Sequence, residues 1–291
     1  MMTQETQTGL SISHMNQKML SHRLRGYSEY EHSPSALKKA CDAPVGYLEV
    51  DVRASSDGEF FLHHNPNTGE DFSADLGFSK TTSKVLKKIQ FKNGEKLLTL
   101  EAALTIFLKR KHKAQRICLD IKDFGYEDKY LELVRRFKIE NNVVFVSWIP
   151  QTLIRLSELG TTAPLILSHW NSLKFGLIGR LFSSLLSNTI FTLSKYVFLG
   201  KNKYHTDLIG RSLGYQYAIL LHEIPAVLLR ILSVNGGGIC VHKSLACPRL
   251  NRYCRQNHLA LWIFSVSGSK EFYRYANEFH ADVIFCDDVF A

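Results

Sequence analysis

Apolar residues recur along this chain with two different periods, and the two kinds of segment alternate. Short apolar runs appear as LEVDV at residues 48–52, RICLDIK at 116–122, NVVFVSW at 142–148 and APLILSHW at 163–170. They return as GICVHKS at 238–244, ALWIFSV at 260–266 and ADVIFCD at 281–287. Runs of this length, rich in Val, Ile, Leu and Phe, read as buried strands. Between them, apolar positions recur every three or four residues in SALKKAC (35–41), LEAALTIFLKR (100–110), YEDKYLELVRRFKIE (126–140), PQTLIRLSEL (150–159) and GSKEFYRYANEF (268–279). That spacing gives a helix one apolar stripe. Ser33 followed by Pro34 reads as the cap and first position of the earliest of these helices, and Thr99 as the cap of the next. Repeated strand–helix units predict a parallel sheet closed into a (β/α)8 barrel. An open doubly wound sheet is the alternative, but the chain has no glycine-rich phosphate loop to favour it.

Two segments stand outside this rhythm. Residues 1–17 are polar and read as a loose tail, leaving 18–291 as one barrel domain. The stretch from Asn171 to Gln216 is too long for an ordinary connection and reads as an insertion. Within it, Leu177, Ile178, Leu181, Phe182, Leu185 and Leu186 fall at helical spacing. Arg180 interrupts the stripe, and a bilayer span needs about 20 apolar residues. Two readings stay open: a helix packed on the barrel, or an interfacial helix on an anionic membrane aided by Lys174, Arg180, Lys195, Lys201 and Lys203. Residues 218–224, AILLHEI, fit a strand or the start of a helix.

Charge narrows the partners. The 291 residues carry 36 Lys and Arg against 27 Asp and Glu, a net +9. Phosphate-bearing substrates or anionic membrane surfaces fit that balance. No motif with nucleic-acid-binding spacing is present, so no nucleic acid is expected. The basic run LKRKHKAQR, residues 108–116, joins a predicted helix to the next strand. In a barrel that is the end away from the active site, so the run reads as a solvated loop. The six cysteines form no CxxC pair, and Cys118 and Cys286 lie inside predicted strands as small apolar residues. The N-terminus has no apolar signal core. These features predict a reducing, cytoplasmic compartment, with peripheral membrane contact as an extension.

The candidate chemistry sits early in the chain. On a strand, residues two apart share a face, so Glu49, Asp51 and Arg53 point one way and Leu48, Val50 and Val52 the other. Two carboxylates at that spacing repel unless a cation joins them, and a hard ion such as Mg2+ or Ca2+ suits their oxygens. A half-solvated edge strand shows the same alternation, so spacing alone leaves both readings open. Asp57-Gly58 then signals a hairpin that returns Phe60, Phe61 and Leu62 toward His63-His64. Only one of these adjacent histidines can face the acids. With His22 upstream, the chain offers two imidazoles for proton transfer beside two carboxylates.

These residues resemble the glycerophosphodiester phosphodiesterase family. The resemblance rests on HRLRG starting at His22, Glu31 nine residues later in EHSPSAL, the LEVDV strand, the Asp-Gly turn and His64. It continues through LDIK, LWIFSV and ADVIFCD, and it is densest before residue 125. It implies that Glu49, Asp51 and Asp120 hold one divalent ion, Mg2+ or Ca2+ with Mn2+ as a further candidate. Arg23 and Lys122 then neutralise the substrate phosphate, and His22 and His64 divide the acid and base roles. Trp262 packs against the glycerol or leaving group, or is a core residue. The implied reaction converts a small glycerophosphodiester to glycerol 3-phosphate and an alcohol. Attack by the substrate's own 2-hydroxyl gives a cyclic phosphate that water opens. Leu24 stands where the family has Gly, His32 where it has Asn, Asn65 where it has Asp, and Asp120 where it has Glu. Asp287 matches the acid of the closing strand. Two alternatives accompany this reading: a related enzyme acting on a lysophospholipid or a glycerophosphate polymer, and a non-catalytic phosphate-binding relative.

Overall fold

Strand alternation decides the architecture. The computed structural model describes residues 12–168, 224, 226–243, 246 and 248–289. Its strands are β1 (Met19–Ser21), β2 (Tyr47–Ala54), β3 (Phe60–Leu62), β4 (Arg116–Ile121), β5 (Val143–Ser147), β6 (Leu165–Ser168), β7 (Gly238–His242), β8 (Ala260–Val266) and β9 (Val283–Cys286). All but β3 run parallel, each beside the next, and β9 pairs with β1, which pairs with β2. The ring therefore closes into the eight-stranded barrel that the sequence predicts, and closure leaves its strands no free edge. β3 folds back on β2 as an antiparallel hairpin, with Val52 opposite Leu62. Gly58 makes the turn at φ +79°, a conformation that costs glycine little.

Alternate residues of each strand enter different layers. Leu48, Val50, Val52, Ile117, Leu119, Ile121, Val143 and Phe145 face outward and are buried with apolar residues of the surrounding helices. Leu20, Cys118, Val144, Val146, Ile166, Cys240, Trp262, Val283 and Phe285 fill the barrel interior. The described helices are α1 (Ile12–Lys18), α2 (Pro34–Asp42), α3 (Ser83–Leu86), α4 (Leu100–Arg110), α5 (Glu127–Arg136), α6 (Pro150–Glu158), α7 (Ala226–Leu232), α8 (Pro248–Gln256) and α9 (Ser269–Asn277). Both expected caps form. Ser33 Oγ accepts from the Ala36 N–H at 3.2 Å, and Thr99 Oγ1 from the Ala102 N–H at 3.1 Å. Each such cap contributes about 1 kcal/mol.

Three features differ from the sequence expectation. Residues 12–18 form a helix rather than a tail, because Met15 is buried against the core. The sequence pattern assigns no helix at α8, and α7 follows residues 218–224, read as a strand or the start of a helix, of which 218–223 lie outside the described residues. Between β3 and α4 the chain builds a small lobe around Phe61, Phe72, Phe78, Leu86, Ile89, Phe91 and Leu97. Their irregular spacing carries no helical or strand period, so the pattern did not reveal them as one cluster. The predicted insertion from Asn171 to Gln216 lies outside the described residues. Among the described residues, no helix is long and apolar enough to cross a membrane.

Candidate active site

In a barrel of this kind, the last inward-facing side chains of the strands meet at the C-terminal mouth. Here they line a cavity of about 230 Å³. β1 leads to His22 and Arg23. β2 provides Asp51 and Arg53, and β4 provides Asp120 and leads to Lys122. β5 leads to Trp148, β6 ends in Ser168, and β7 ends in His242. β8 contributes Phe264 and Ser265, β9 contributes Phe285, and His64 enters just after β3. One side of the cavity is charged, and the other is largely aromatic.

The three acids converge. Glu49, Asp51 and Asp120 each offer an oxygen within 4.8 Å of the others. The parallel register sets Asp51 directly beside Asp120, which allows the shorter aspartate to reach the group. Lys122 Nζ lies 2.7 Å from Asp51 Oδ1 and 2.5 Å from Asp120 Oδ2. The Arg23 backbone N–H donates to Glu49 Oε2 at 2.8 Å, and Arg23 Nε lies 3.3 Å from Asp51 Oδ2. Glu49 Oε1, Asp51 Oδ2 and Asp120 Oδ1 are buried and accept no hydrogen bond. Such atoms are costly unless a ligand completes them. An all-oxygen donor set with one open lone-pair site per acid fits a hard divalent cation.

The protonation pattern follows from this crowding. Burial pushes the Glu49 carboxyl well above the usual range, and the charges of Asp51 and Asp120 push the same way. Asp120 is also raised, chiefly by burial. Burial opposes ionisation of Asp51 too, but Lys122, His64 and Arg23 outweigh it and hold this carboxyl well below the usual range. A bound cation would favour ionisation of all three.

The two histidines are supported differently. His22 Nδ1 pairs with Asp287 Oδ1 at 2.6 Å, and Asp287 also accepts from Arg25 Nη1 at 2.8 Å and from Ser265 Oγ. Burial lowers the His22 pKa while Asp287 works to raise it. Asp287 itself is held below the carboxylate range, despite burial, by the His22 hydrogen bond and the charge of His22. His64 Nδ1 instead meets a neutral partner, Asn65 Oδ1, at 3.0 Å. Burial first, with Lys122 and Arg23 acting the same way against the charge of Asp51, brings the His64 pKa down to about 2. His63 points away: its Nε2 meets Asn67 O at 2.9 Å, and its ring stacks on Phe78.

The departures from the family pattern have physical accounts. Leu24 adopts φ +60°, a region that glycine enters freely and leucine does not. Its side chain is fully buried in the outer core, which offsets that strain by about 1.5–3 kcal/mol. His32 is 1% exposed, and its Nε2 accepts the Asp51 N–H at 3.2 Å. It thereby fixes the strand that carries the acids. Trp262 does not line the cavity. It lies deeper among the interior residues, edge-on to Tyr47, and Phe264, two residues on, reaches the mouth. Alternation identifies the inward face of a strand but not the depth along it. The sequence reading also missed Trp148, Ser168 and His242, which the same alternation applied to β5, β6 and β7 would have found.

Cations and imidazoles gather around buried acids at the barrel mouth, an arrangement suited to binding a phosphodiester and moving protons on it. A model of the glycerophosphoryl diester phosphodiesterase family matches residues 20–169, and the chain belongs to that family. Among solved structures, a glycerophosphodiester phosphodiesterase from Agrobacterium tumefaciens superposes with a TM-score of 0.61 at 14% identity, covering 93% of this chain and 96% of that one. A glycerophosphodiester phosphodiesterase from Parabacteroides distasonis gives 0.60 at 16% identity, over 93% and 92% of the two chains. A phosphodiesterase from Oleispira antarctica, in complex with the product sn-glycerol-3-phosphate, gives 0.61 at 15% identity, over 93% and 92%. At these identities the likeness shows the shared fold. No curated protein matches the chain.

Proposed function

We propose that the protein hydrolyses a small, water-soluble glycerophosphodiester to glycerol 3-phosphate and an alcohol, using one divalent cation and two histidines. The carrying observation is the convergence of Glu49, Asp51 and Asp120, each with a carboxylate oxygen that accepts no hydrogen bond, where Asp51 and Asp120 line the same cavity as His22 and His64. The product bound by the Oleispira antarctica protein supports the substrate class. Mg2+, Ca2+ and Mn2+ all suit the oxygen donors.

When bound, the ion supplies Lewis-acid polarisation of the phosphate. Arg23 and Lys122 neutralise the phosphoryl oxygens as charge develops, and they already lie against the acids. Burial, Lys122 and Arg23 outweigh the charge of Asp51 and keep His64 neutral, so its ring can take up a proton and it serves as the base. It takes the proton from the glycerol 2-hydroxyl as that oxygen bonds to phosphorus. His22, whose imidazolium Asp287 stabilises, serves as the acid and protonates the departing alkoxide. The products of this step are the free alcohol and a cyclic phosphate. Water then opens the ring with the two proton transfers reversed. Trp148, Phe264 and Phe285 give the alcohol an aromatic wall.

The test is turnover of a panel of glycerophosphodiesters by the wild type, His22→Ala and His64→Ala. Loss of about a hundredfold or more in each variant is expected, the ordinary scale of general acid–base catalysis. Wild-type rates in either variant would remove that histidine from the mechanism. The panel includes a micellar lysophospholipid and a glycerophosphate polymer, which the soluble-diester reading predicts to be poorer substrates. A non-catalytic relative would turn over none of them. We further propose peripheral contact with anionic membranes through the cationic, apolar sequence between Asn171 and Gln216. A cytoplasmic location accords with the cysteine usage.

A further inference from the structure

Arg53 lies on the same strand face as Glu49 and Asp51, borders the cavity and is 3% exposed. A buried guanidinium there would ordinarily read as a second phosphate ligand. Its hydrogen bonds say otherwise. Arg53 Nε donates to the His64 backbone carbonyl at 3.1 Å, and Arg53 Nη2 donates to the same oxygen at 2.7 Å. Nη1 donates to Asp123 Oδ1 at 3.2 Å. All three nitrogens are thus engaged by protein.

Asp123 completes the device. Its other oxygen accepts the Ala54 N–H at 2.7 Å. This carboxylate therefore ties the end of β2 to the segment just after Lys122, while bracing the guanidinium that donates to the His64 carbonyl. His64 otherwise has little to hold it. It follows a strand of three residues and leads into an exposed Asn65. Among the described residues, the side-chain hydrogen bond of its ring is to that neighbour.

We infer that Arg53 is a positioning residue for His64: its fork grips the His64 carbonyl and, braced by Asp123, aims the imidazole at the substrate. The inference rests on the role proposed for His64. The geometry requires a planar fork with two parallel donors, which lysine cannot reproduce. Misplacement of a reacting group by about 1 Å costs roughly a hundredfold in rate.

The experiment is a double-variant cycle on sn-glycero-3-phosphoethanolamine, or on whichever diester of the panel turns over fastest. It compares wild type, Arg53→Lys, His64→Ala and the combined variant, with melting curves for each. Arg53→Lys should lower kcat by roughly 10- to 100-fold and leave KM within about twofold. In the His64→Ala background it should cost less than about threefold, because the residue it aims is gone. Asp123→Asn should follow the same pattern with a smaller loss, and it carries the comparison if Arg53→Lys does not fold. Equal losses in both backgrounds would overturn the inference, as would a raised KM with kcat retained, the signature of a phosphate ligand. If His64→Ala retains the wild-type rate, the acid–base reading itself falls and the inference with it. A His64→Ala loss with a wild-type Arg53→Lys rate sinks only the inference.

Discussion

Replacing Asp287 by Asn tests the proton-transfer assignment through one hydrogen bond. The His22 Nδ1–Asp287 Oδ1 contact is 2.6 Å, in the range of charge-assisted bonds. A hydrogen bond to a charged group contributes about 1.5–3 kcal/mol. At 1.36 kcal/mol per tenfold, Asp287→Asn should lower kcat by roughly 10- to 150-fold. The pH profile should move as well. Asp287 raises the His22 pKa against burial, Arg23 and Arg25, so the amide lets that pKa fall further. The fraction of protonated His22 at any given pH drops, and the limb of kcat that requires it shifts toward acid. Folding stability supplies an independent sign. The folded Asp287 pKa is depressed, so its stabilisation is present above the ordinary carboxylate pKa and is lost as pH falls through the folded value. Asp287→Asn should therefore melt lower than wild type at neutral pH, with the gap narrowing in acid. Ser265→Ala is the control, since it removes another partner of Asp287 and leaves the His22 bond intact. The assay is steady-state release of glycerol 3-phosphate across pH with matched melting curves. An Asp287→Asn enzyme with wild-type kcat and an unmoved profile would refute the reasoning.

Other expectations follow from the same geometry. Glu49→Gln should abolish turnover and any thermal shift on adding Mg2+ or Ca2+, yet melt higher than wild type without metal. Burial and the like charges of Asp51 and Asp120 raise the Glu49 pKa, so this carboxyl costs the fold stability as pH rises above the ordinary carboxylate range, a cost that glutamine does not carry. A lower metal-free Tm for Glu49→Gln would contradict this. His63→Ala should keep kcat within a few-fold while lowering Tm, because the ring is packed on Phe72 and Phe78; an inactive but fully stable variant would reverse the assignment of His63 and His64. The sequence between Asn171 and Gln216 predicts sedimentation with anionic vesicles that salt weakens, and that Phe182→Asp or Leu185→Asp weakens without loss of soluble-diester turnover. Unfolding of those variants, with no vesicle binding by the wild type, would indicate a packed helix instead.

Much of the barrel was legible because strand alternation and helical periodicity are local signals. Glu49 and Asp51 on one face, and Ser33 and Thr99 as caps, followed directly from residue spacing. The convergence of Asp120 with them depends on the β2–β4 register, which spacing within either strand does not encode. Depth along a strand was equally hidden: Trp262 and Phe264 share a face, and only the layer decides which meets the cavity. The grip of Arg53 on His64 was invisible for another reason. Its target is a backbone carbonyl, which every residue carries, so no side-chain pattern marks it. Helix α1 was missed because a polar segment with one buried methionine looks like a tail until the barrel floor is there to receive it.

The most direct measurement is turnover of a soluble glycerophosphodiester by exhaustively chelated protein as Mg2+, Ca2+ or Mn2+ is added back. The carboxylate triad predicts negligible release of glycerol 3-phosphate without added ion and saturable recovery with at least one of the three. Glu49→Gln should show no recovery at any concentration. Undiminished turnover in the chelated wild type would contradict a metal-assisted reaction at this site.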